Sequence, residues 1–547
     1  MSPSPQAAAP GGPEVGLFRH TILMPFGFPG LTAAQGATTF ADRAIAVGWT
    51  PAPRPINSSA DAAIGYEEAL HLPGWAVASL TGKGGASIQI FEGRAVTSAT
   101  IDCWQGAVGA VCRYEATLSR LAVYIFDSGL AVVIVELSFA TTVRQGETTR
   151  SLLLSDVETL LDRLGRLYAG RYEAGEPVEV PDNVRWTPSP DGVARFSPED
   201  ALRWLETHGE PPLADHWREL LGGGVAGMSG SLVPVPLLNG PRTPFLAVVG
   251  FADPTVLTAD DWTRLALADE PGSWNRPYGE AFFVELERQA AIDFYWTPDD
   301  PQRNTRYFVT AEGVVGVGRL GPDGKGRFET MSVPRFSGLY LQLVLFRHMQ
   351  RASILYLTGR LDRLIARYGS DQDMGRFQDA AHALRFEVLR FSQRRWLEPI
   401  GVQRLTKAID VKLMAELDLV GRFDRLSAQV AELDNFVAGQ ESLNATLASQ
   451  RLNRLVALSM VTATVTGFFG MNFFEPQSLL PVWAAVSCAV TAGTVGLLTA
   501  TFYAPSRRHR RPDSPGLGVW LLVASVLLLA GMALWLTVKD WHPLPGG

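Results

Sequence analysis

Cysteine is scarce in this chain of 547 residues, which contains only Cys103, Cys112 and Cys488. Three thiols at this spacing are too few for a disulfide framework or a cysteine-based metal site. The eight histidines are scattered and form no His-Glu-x-x-His pair, which argues against a zinc enzyme. No loop has the glycine and lysine spacing that binds nucleotide phosphates, and no nucleophile–base pattern is visible. We therefore predict that the protein is not an enzyme.

An excess of basic residues is also absent. Lysine and arginine total 48 against 55 acidic residues, which gives a formal net charge of −7. This balance does not favour nucleic acid as a partner. Residues 1–14 are mostly small residues and proline, so we expect them to be disordered. Because they lack a basic start followed by an apolar run, we expect no signal peptide and a cytoplasmic front part.

Strand and helix patterns alternate over residues 15–338. Two apolar runs, 121–126 and 130–139, flank Asp127-Ser128-Gly129 and predict a hairpin. Leucines at helical spacing predict a helix over 148–172. The sequence therefore predicts an α/β or α+β cytosolic domain, and the proline-rich stretch 177–190 is a candidate boundary between two parts. Further strands are predicted at 245–250, 281–285 and 307–310.

The pattern changes at Leu339 to almost unbroken helix, so residues 339–452 are predicted to form a helical stalk. Helices are expected at 339–368 and 378–397, and a third from Val402 onward. This third helix continues to Asn472 if nothing interrupts it. Apolar residues along it recur mostly at spacings of three and four, which suits helices that bundle with copies of themselves. A coiled stalk with no further role accounts for the same pattern. The apolar positions are Leu413, Leu417, Val420, Leu426, Val430, Leu433 and Val437.

Three apolar segments follow the stalk, at residues 453–472, 479–503 and 516–538. The second and third are each long enough to cross a bilayer of about 30 Å. The first has a shorter apolar part and reaches that length only because the stalk extends it. We therefore predict an α-helical membrane domain with three spans.

Basic residues set the expected orientation of these spans. Arg451 and Arg454 precede the first span, and an arginine cluster fills the loop 504–515. The loop 473–478 contains no basic residue and one acid, Glu475. The positive-inside rule then places the stalk and the loop 504–515 in the cytoplasm, and the short loop and the C-terminus outside. We expect a multi-pass protein of the cell (inner or plasma) membrane.

The first span ends in Thr466-Gly467-Phe468-Phe469-Gly470-Met471-Asn472. A mixed cytosolic domain, a long helix entering the membrane, a Gly-Met-Asn end, and a short outer loop before a second span occur here in that order. In this arrangement the sequence resembles the CorA-type magnesium/cobalt transporter family. The close match covers residues 447–503, about a tenth of the chain.

The resemblance implies a homopentamer in the lipid bilayer, with the first span lining one pore. Gly470, Met471 and Asn472 would form the outer selectivity filter. Mg²⁺ would be the transported ion and would also act as a regulatory ion. Other divalent cations are candidates as well. Mg²⁺ dehydrates reluctantly, so the neutral amide of Asn472 would bind the hydrated ion through its water shell. A ring of Glu475 carboxylates at the outer mouth would concentrate cations. The deeper pore-lining candidates are Thr464, Met460, Val456 and Asn453.

Two features depart from the family pattern, and they leave alternatives open. No proline lies between Leu452 and Asn472, where the family usually has one, and residues 516–538 form an additional span. One alternative is a zinc, cobalt or nickel carrier on the same scaffold. Another is a CorA-like membrane effector or receptor whose cytosolic domain binds a ligand or partner. For Met460, packing against the second span competes with a pore-lining role, and for Asn453, solvation at the membrane edge does.

Overall fold

The computed structural model describes most of residues 12–470. The described residues are 12–27, 49–51, 88–93, 96–105, 110–126, 130–168, 171–173, 176–188, 196–208, 211–225, 233–234, 242–270, 279–297, 300, 304–368, 374–395, 400–470 and 493. Tertiary contacts divide the chain into two compact units, Met1–Glu432 and Leu433–Gly547. The predicted domains 15–338 and 339–452 thus do not coincide with these units.

The described strands range in length from 2 to 17 residues. They are β1 (Val15–Gly27), β2 (Trp49–Pro51), β3 (Gln89–Gly93), β4 (Ser98–Gln105), β5 (Ala110–Phe126), β6 (Leu130–Gln145), β7 (Thr148–Ser151), β8 (Arg171–Glu173), β9 (Glu176–Val178), β10 (Asn183–Thr187), β11 (Val233–Pro234), β12 (Phe245–Phe251), β13 (Ala291–Trp296), β14 (Asn304–Val309) and β15 (Gly313–Arg319).

The described helices become long only after the last strand. They are α1 (Leu154–Leu164), α2 (Pro198–His208), α3 (Asp215–Val225), α4 (Ala259–Leu267), α5 (Glu280–Ala290), α6 (Val333–Ser337), α7 (Leu339–Tyr368), α8 (Met374–Arg395), α9 (Arg404–Glu416) and α10 (Leu419–Gly470). A 3₁₀ turn at Pro254–Val256 and a π-helical turn at Phe328–Ser332 complete the set.

Thirteen of the described strands form one mixed sheet. Its main path runs β10-β4-β5-β6-β1-β12-β15-β14-β13, and β2, β3, β7 and β11 add to it at the sides. Among the described pairings only β12 with β15 is parallel. The predicted mixed domain is therefore confirmed, with a sheet that is mostly antiparallel. The stretch 177–190 does not separate two sheets, because β10 pairs with β4 and β12 pairs with β1.

The sheet is buried on both faces, because its central strands are apolar at successive positions. In β6, Val133 and Val135 point into one core, whereas Val132 and Ile134 point into the other. The first core also contains the apolar faces of α1, α3 and α4. The second core contains α7 and α9.

Helix α7 is buried on every side from Leu339 to Ile354. Its first turns, including Leu341 and Val344, lie in the second core against the sheet. The π-helical turn before it approaches β15 closely at Gly318, where an added Cβ would lie 2.2 Å from the ring of Phe328. Only glycine allows this contact. The helices after Leu339 therefore begin as part of the first unit rather than as a separate stalk.

Several sequence predictions are confirmed at the level of single elements. The hairpin is present as β5 and β6, and the strands at 245–250 and 307–310 are present as β12 and β14. The helix predicted over 339–368 has those bounds in α7, and the one predicted over 378–397 corresponds to α8.

Two predictions are wrong in a way that local chemistry explains. The strand predicted at 281–285 is part of α5, because helix-forming residues continue to Ala290 and outweigh the short run of aromatic and β-branched residues. The helix predicted over 148–172 is too long at both ends. Gly146, at a φ of 61°, forms a tight turn that returns the chain as β7 on β6, so helix α1 begins only at Leu154.

Candidate functional site

The candidate site lies along α10, a helix of 52 residues and roughly 80 Å. The helix expected to start near Val402 does not run unbroken, because Asp418 adopts a left-handed φ of 47° between α9 and α10. The backbone N–H of Gly421 donates to the carboxylate of Asp418, which caps the first turn of α10. Arg425 also pairs with this carboxylate at 2.7 Å. These contacts stabilise the break between α9 and α10, so the long helix begins at Leu419.

The predicted apolar stripe is buried only along the first part of α10. Leu426, Val430, Leu433 and Val437 are buried, whereas Val420 is exposed, which contradicts its place in the stripe. Beyond Val437 most of the described large apolar side chains are exposed. They are Leu443, Leu447, Leu452, Val456 and Met460. Burial within one chain thus accounts for the stripe only as far as Val437.

Three of the predicted pore-lining residues lie on one face of α10. Asn453, Val456 and Met460 follow one another at spacings of three and four, which places them in line along a helix. All three are exposed, Val456 by 55 % and Met460 by 69 %. Thr464 lies on the same helix one turn further on. The alternative that Met460 packs against the second span concerns residues outside the described part of the chain.

The predicted filter begins at the last residue of α10. Gly470 is the last residue of α10. Met471, Asn472 and Glu475 lie outside the described residues, as do the loops 473–478 and 504–515 and, apart from Gly493, the segments 479–503 and 516–538. Over the part of the chain that the structure describes, we find no helix with both the length and the apolar character that a bilayer crossing requires. Within the same residues, no group of three or more His, Cys, Asp or Glu side chains is placed to bind a metal.

A buried hydrogen-bond network surrounds Asp156 in the first turn of α1. Its carboxylate accepts from Tyr114 at 2.8 Å, from Gln105 at 2.6 Å and from Arg150 at 2.5 and 2.9 Å. The backbone N–H of Leu153 donates to it as well, at 2.8 Å. Both carboxylate oxygens of Asp156 thus accept hydrogen bonds from described residues, and the network connects α1 to β4, β5 and β7.

A set of buried polar residues on α7 was not predicted from the sequence. Arg347, His348, Gln350, Arg351 and Ser353 are all buried in the middle of this helix. A signal was present, because Leu339–Phe346 is apolar on almost every side, and a helix of that kind is surrounded by protein. Charged residues that continue such a helix are expected to be buried too. Arg347 pairs with Asp410 of α9, whereas Arg351 has no such partner among the described residues.

Comparisons with known proteins add little. No family model and no curated protein matches the chain. One matching solved structure is the CorA magnesium transporter from Methanocaldococcus jannaschii, at 11 % identity, covering 51 % of this chain and 95 % of that one with a TM-score of 0.21. Another is the full-length CmaX protein, at 12 % identity, covering 56 % and 93 % with a TM-score of 0.17. At TM-scores of this size neither match carries an argument, so the resemblance to CorA-type transporters rests on the sequence features.

Proposed function

We propose that this protein is a CorA-like divalent-cation channel of the cell membrane, with Mg²⁺ as the first candidate ion. In this proposal the first unit lies in the cytoplasm, and five copies of α10 surround one pore. Gly470, Met471 and Asn472 form its outer selectivity filter. The observation that carries the proposal is the course of α10, a long helix that ends at Gly470 and leads directly into Met471 and Asn472.

The exposure of the second half of α10 supports this assignment. Leu452, Val456 and Met460 expose more than half of their side chains within one chain. Apolar side chains exposed in sequence along one helix are typical of surfaces that lipid or other protein copies cover. Copies of α10 packed side by side would cover part of this surface and direct Asn453, Val456 and Met460 toward a common axis.

The residue types at the end of α10 suit a hydrated cation. An amide oxygen and backbone carbonyls can accept hydrogen bonds from the water shell of Mg²⁺ without replacing it. Glu475 would add negative charge at the outer mouth and raise the local cation concentration. The chain carries no recognisable nucleotide-binding loop, so we propose passive flow driven by the membrane potential.

Ion flux into liposomes tests the proposal. The purified protein is reconstituted around a Mg²⁺-sensitive dye, and entry is started by a Mg²⁺ gradient with an inside-negative potential. We expect Asn472→Ala to reduce Mg²⁺ entry to the level of protein-free liposomes. Asn444→Ala is the matched control, because Asn444 is an exposed asparagine on the same helix, away from the filter. Parallel runs with Zn²⁺, Co²⁺ and Ni²⁺ compare the carrier alternative on the same scaffold.

Two results would contradict the channel proposal. Mg²⁺ entry that is the same in Asn472→Ala and in the parent would reject the filter assignment. Particle images with a symmetry other than five-fold would reject the pore geometry.

A second candidate function is a CorA-like membrane effector or receptor. It is favoured by the absence of a proline between Leu452 and Asn472 and by the additional apolar segment 516–538. Here the first unit would bind a ligand or partner, and the pore would be closed or vestigial. Absence of flux in the parent under every cation gradient, together with ligand binding to the first unit, would favour this candidate.

A further inference from the structure

Arg351 is a buried cation without a counter-ion among the described residues. Its side chain is 2 % exposed, and its Nε and Nη2 atoms have no hydrogen-bond partner. A buried guanidinium normally pairs with a carboxylate or another anion, because removing its charge from water is costly. Buried polar groups without partners are rare in folded proteins, and one of them can mark the site of a bound ion.

The unused atoms of Arg351 form the edge that binds oxyanions elsewhere in this chain. In Arg347, one turn earlier on α7, Nε and Nη2 donate to the two oxygens of Asp410 at 2.6 and 2.9 Å. In Arg113 the same two atoms donate to Asp102 at 2.7 and 3.2 Å. Two parallel N–H groups fit a pair of oxygens on one carboxylate or phosphate. Arg351 presents this edge without an oxyanion.

Two further groups near Arg351 can donate to an anion. His348 lies on the same face of α7 and is buried, and neither of its ring nitrogens has a hydrogen-bond partner in the described part of the chain. Arg422, in the first turn of α10, is close enough to lower the pKa of Arg351, although burial is the larger cause. The carboxylate of Glu312 raises this pKa, and no hydrogen bond joins it to Arg351. Arg422 also lies close to Asp418, which pairs with Arg425 at 2.7 Å. The carboxylates of Glu312 and Asp418 therefore face three guanidinium groups.

We propose that Arg351, His348 and Arg422 form a binding site for a small phosphate-bearing anion in the first unit. Two phosphate oxygens would accept from Nε and Nη2 of Arg351. A third would accept from the N–H of His348, and Arg422 would supply the second positive charge. A tetrahedral anion presents oxygens in several directions to these three donors, whereas both oxygens of a carboxylate lie in one plane. The site does not depend on the channel proposal, because it involves residues of the first unit alone.

Thermal unfolding of the full-length protein in detergent tests this site, with inorganic phosphate as the probe. Phosphate replaces chloride at constant ionic strength, so that general screening is unchanged. We expect the unfolding midpoint to rise with phosphate and then saturate, because a ligand that binds only the folded state stabilises it. Sulfate should give a similar rise, and acetate a much smaller one.

Three variants make the test specific. Arg351→Met should abolish the phosphate response, and in chloride its midpoint should equal or exceed that of the parent, because an unpaired buried charge is removed. Arg351→Lys keeps the charge without the two-pronged edge and should weaken phosphate binding about tenfold. Arg363→Met is the matched control, since Arg363 is exposed on the same helix and should respond as the parent does.

Three outcomes would overturn the proposal. The first is an equal phosphate response in the parent and Arg351→Met, which would mean binding elsewhere. The second is no response of the parent to phosphate or sulfate. The third is a response to acetate alone, which would assign a carboxylate ligand. If Arg351→Met does not fold, the tenfold weakening in Arg351→Lys against Arg363→Met decides.

Discussion

Arg347 and Asp410 form an ion pair in which the two side chains are 1 % and 0 % exposed. The pair joins α7 to α9 across 63 positions of the chain. Asp410 also accepts from the backbone N–H groups of Ile400 and Gly401, and Nη1 of Arg347 donates to Gln350 at 2.9 Å. Each charge is therefore surrounded by partners, which is the condition under which a buried pair is tolerated.

Breaking this pair should be strongly destabilising. We expect Asp410→Asn to lower the free energy of unfolding of the first unit by about 3–5 kcal/mol, because Arg347 would remain buried without a counter-ion. Urea unfolding of the full-length protein, followed by tryptophan fluorescence, measures this change. Arg113→Met is the matched control, because Arg113 makes the same two-pronged contact to Asp102 with a far more exposed side chain. Its cost should be about 1 kcal/mol or less. Equal losses for the two variants would contradict the expectation.

Three buried histidines should make the protein sensitive to acid. Burial lowers the pKa of His20, His216 and His348 to about 3, against 6.5 for an ordinary histidine. The unfolded chain therefore binds more protons than the native one between these values. The contribution of these neutral rings to the unfolding free energy is fully present above pH 6.5. It is lost as the pH falls toward 3, at about 1.4 kcal/mol per pH unit for each ring.

Replacing one of these rings isolates its share. His20 is a buried residue of β1, and its ring packs edge-to-face on that of Phe245 with 5.7 Å between the ring centroids. Phenylalanine should therefore fit there. We expect the unfolding free energy of His20→Phe to fall less steeply from pH 6.5 to 4 than that of the parent. The number of protons taken up on unfolding should be smaller by one. His382→Gln, on the exposed face of α8, should follow the parent. The expectation fails if His20→Phe and the parent have the same pH dependence.

Glu158 should have the opposite dependence on pH. Burial, followed by the negative charge of Asp261, raises its pKa from 4.5 to about 9. Its contribution to stability is fully present below pH 4.5 and is lost as the pH rises toward 9, because the unfolded state loses the proton first. Glu158→Gln should therefore stabilise the protein by up to about 3 kcal/mol at pH 7 and change little at pH 4.5. Unfolding free energies at the two pH values, with the exposed Glu206→Gln as control, would show whether the gain grows with pH.

The break between α9 and α10 should depend on the residue type at position 418. Asp418→Ala removes the carboxylate that accepts from the backbone N–H of Gly421. It also leaves alanine in the left-handed conformation, which costs more for alanine than for aspartate because alanine has no side-chain hydrogen bond there. We expect a loss of about 1–2 kcal/mol in unfolding free energy. Asp418→Asn keeps an acceptor and tolerates this conformation, so its loss should be smaller. Asp424→Ala, at an exposed position of α10, is the control, and a loss as large as that of Asp418→Ala would contradict the capping role.

The elements that could be predicted from sequence are those with strong local periodicity. Helix α7 has its predicted bounds, Leu339–Tyr368, and β5 and β6 follow from two apolar runs around a short turn. Residues 281–285 were predicted as a strand and are helical, because a run that short has no period of its own. Of the candidate site, the placement of Asn453, Val456 and Met460 on one helix follows from the sequence.

The sequence by itself therefore determined the change to long helices at Leu339, the long helix toward Gly470 and the resemblance carried by Gly-Met-Asn. Only the tertiary structure decided the strand order, with β1 between β6 and β12 and one parallel pair. It also decided that Arg347 pairs with Asp410, whereas Arg351, one turn later, has no carboxylate bonded to it among the described residues. The physical reason is distance along the chain. Periodicity reports which side of an element is apolar, whereas the partner of a buried charge is set by contacts between segments far apart in sequence.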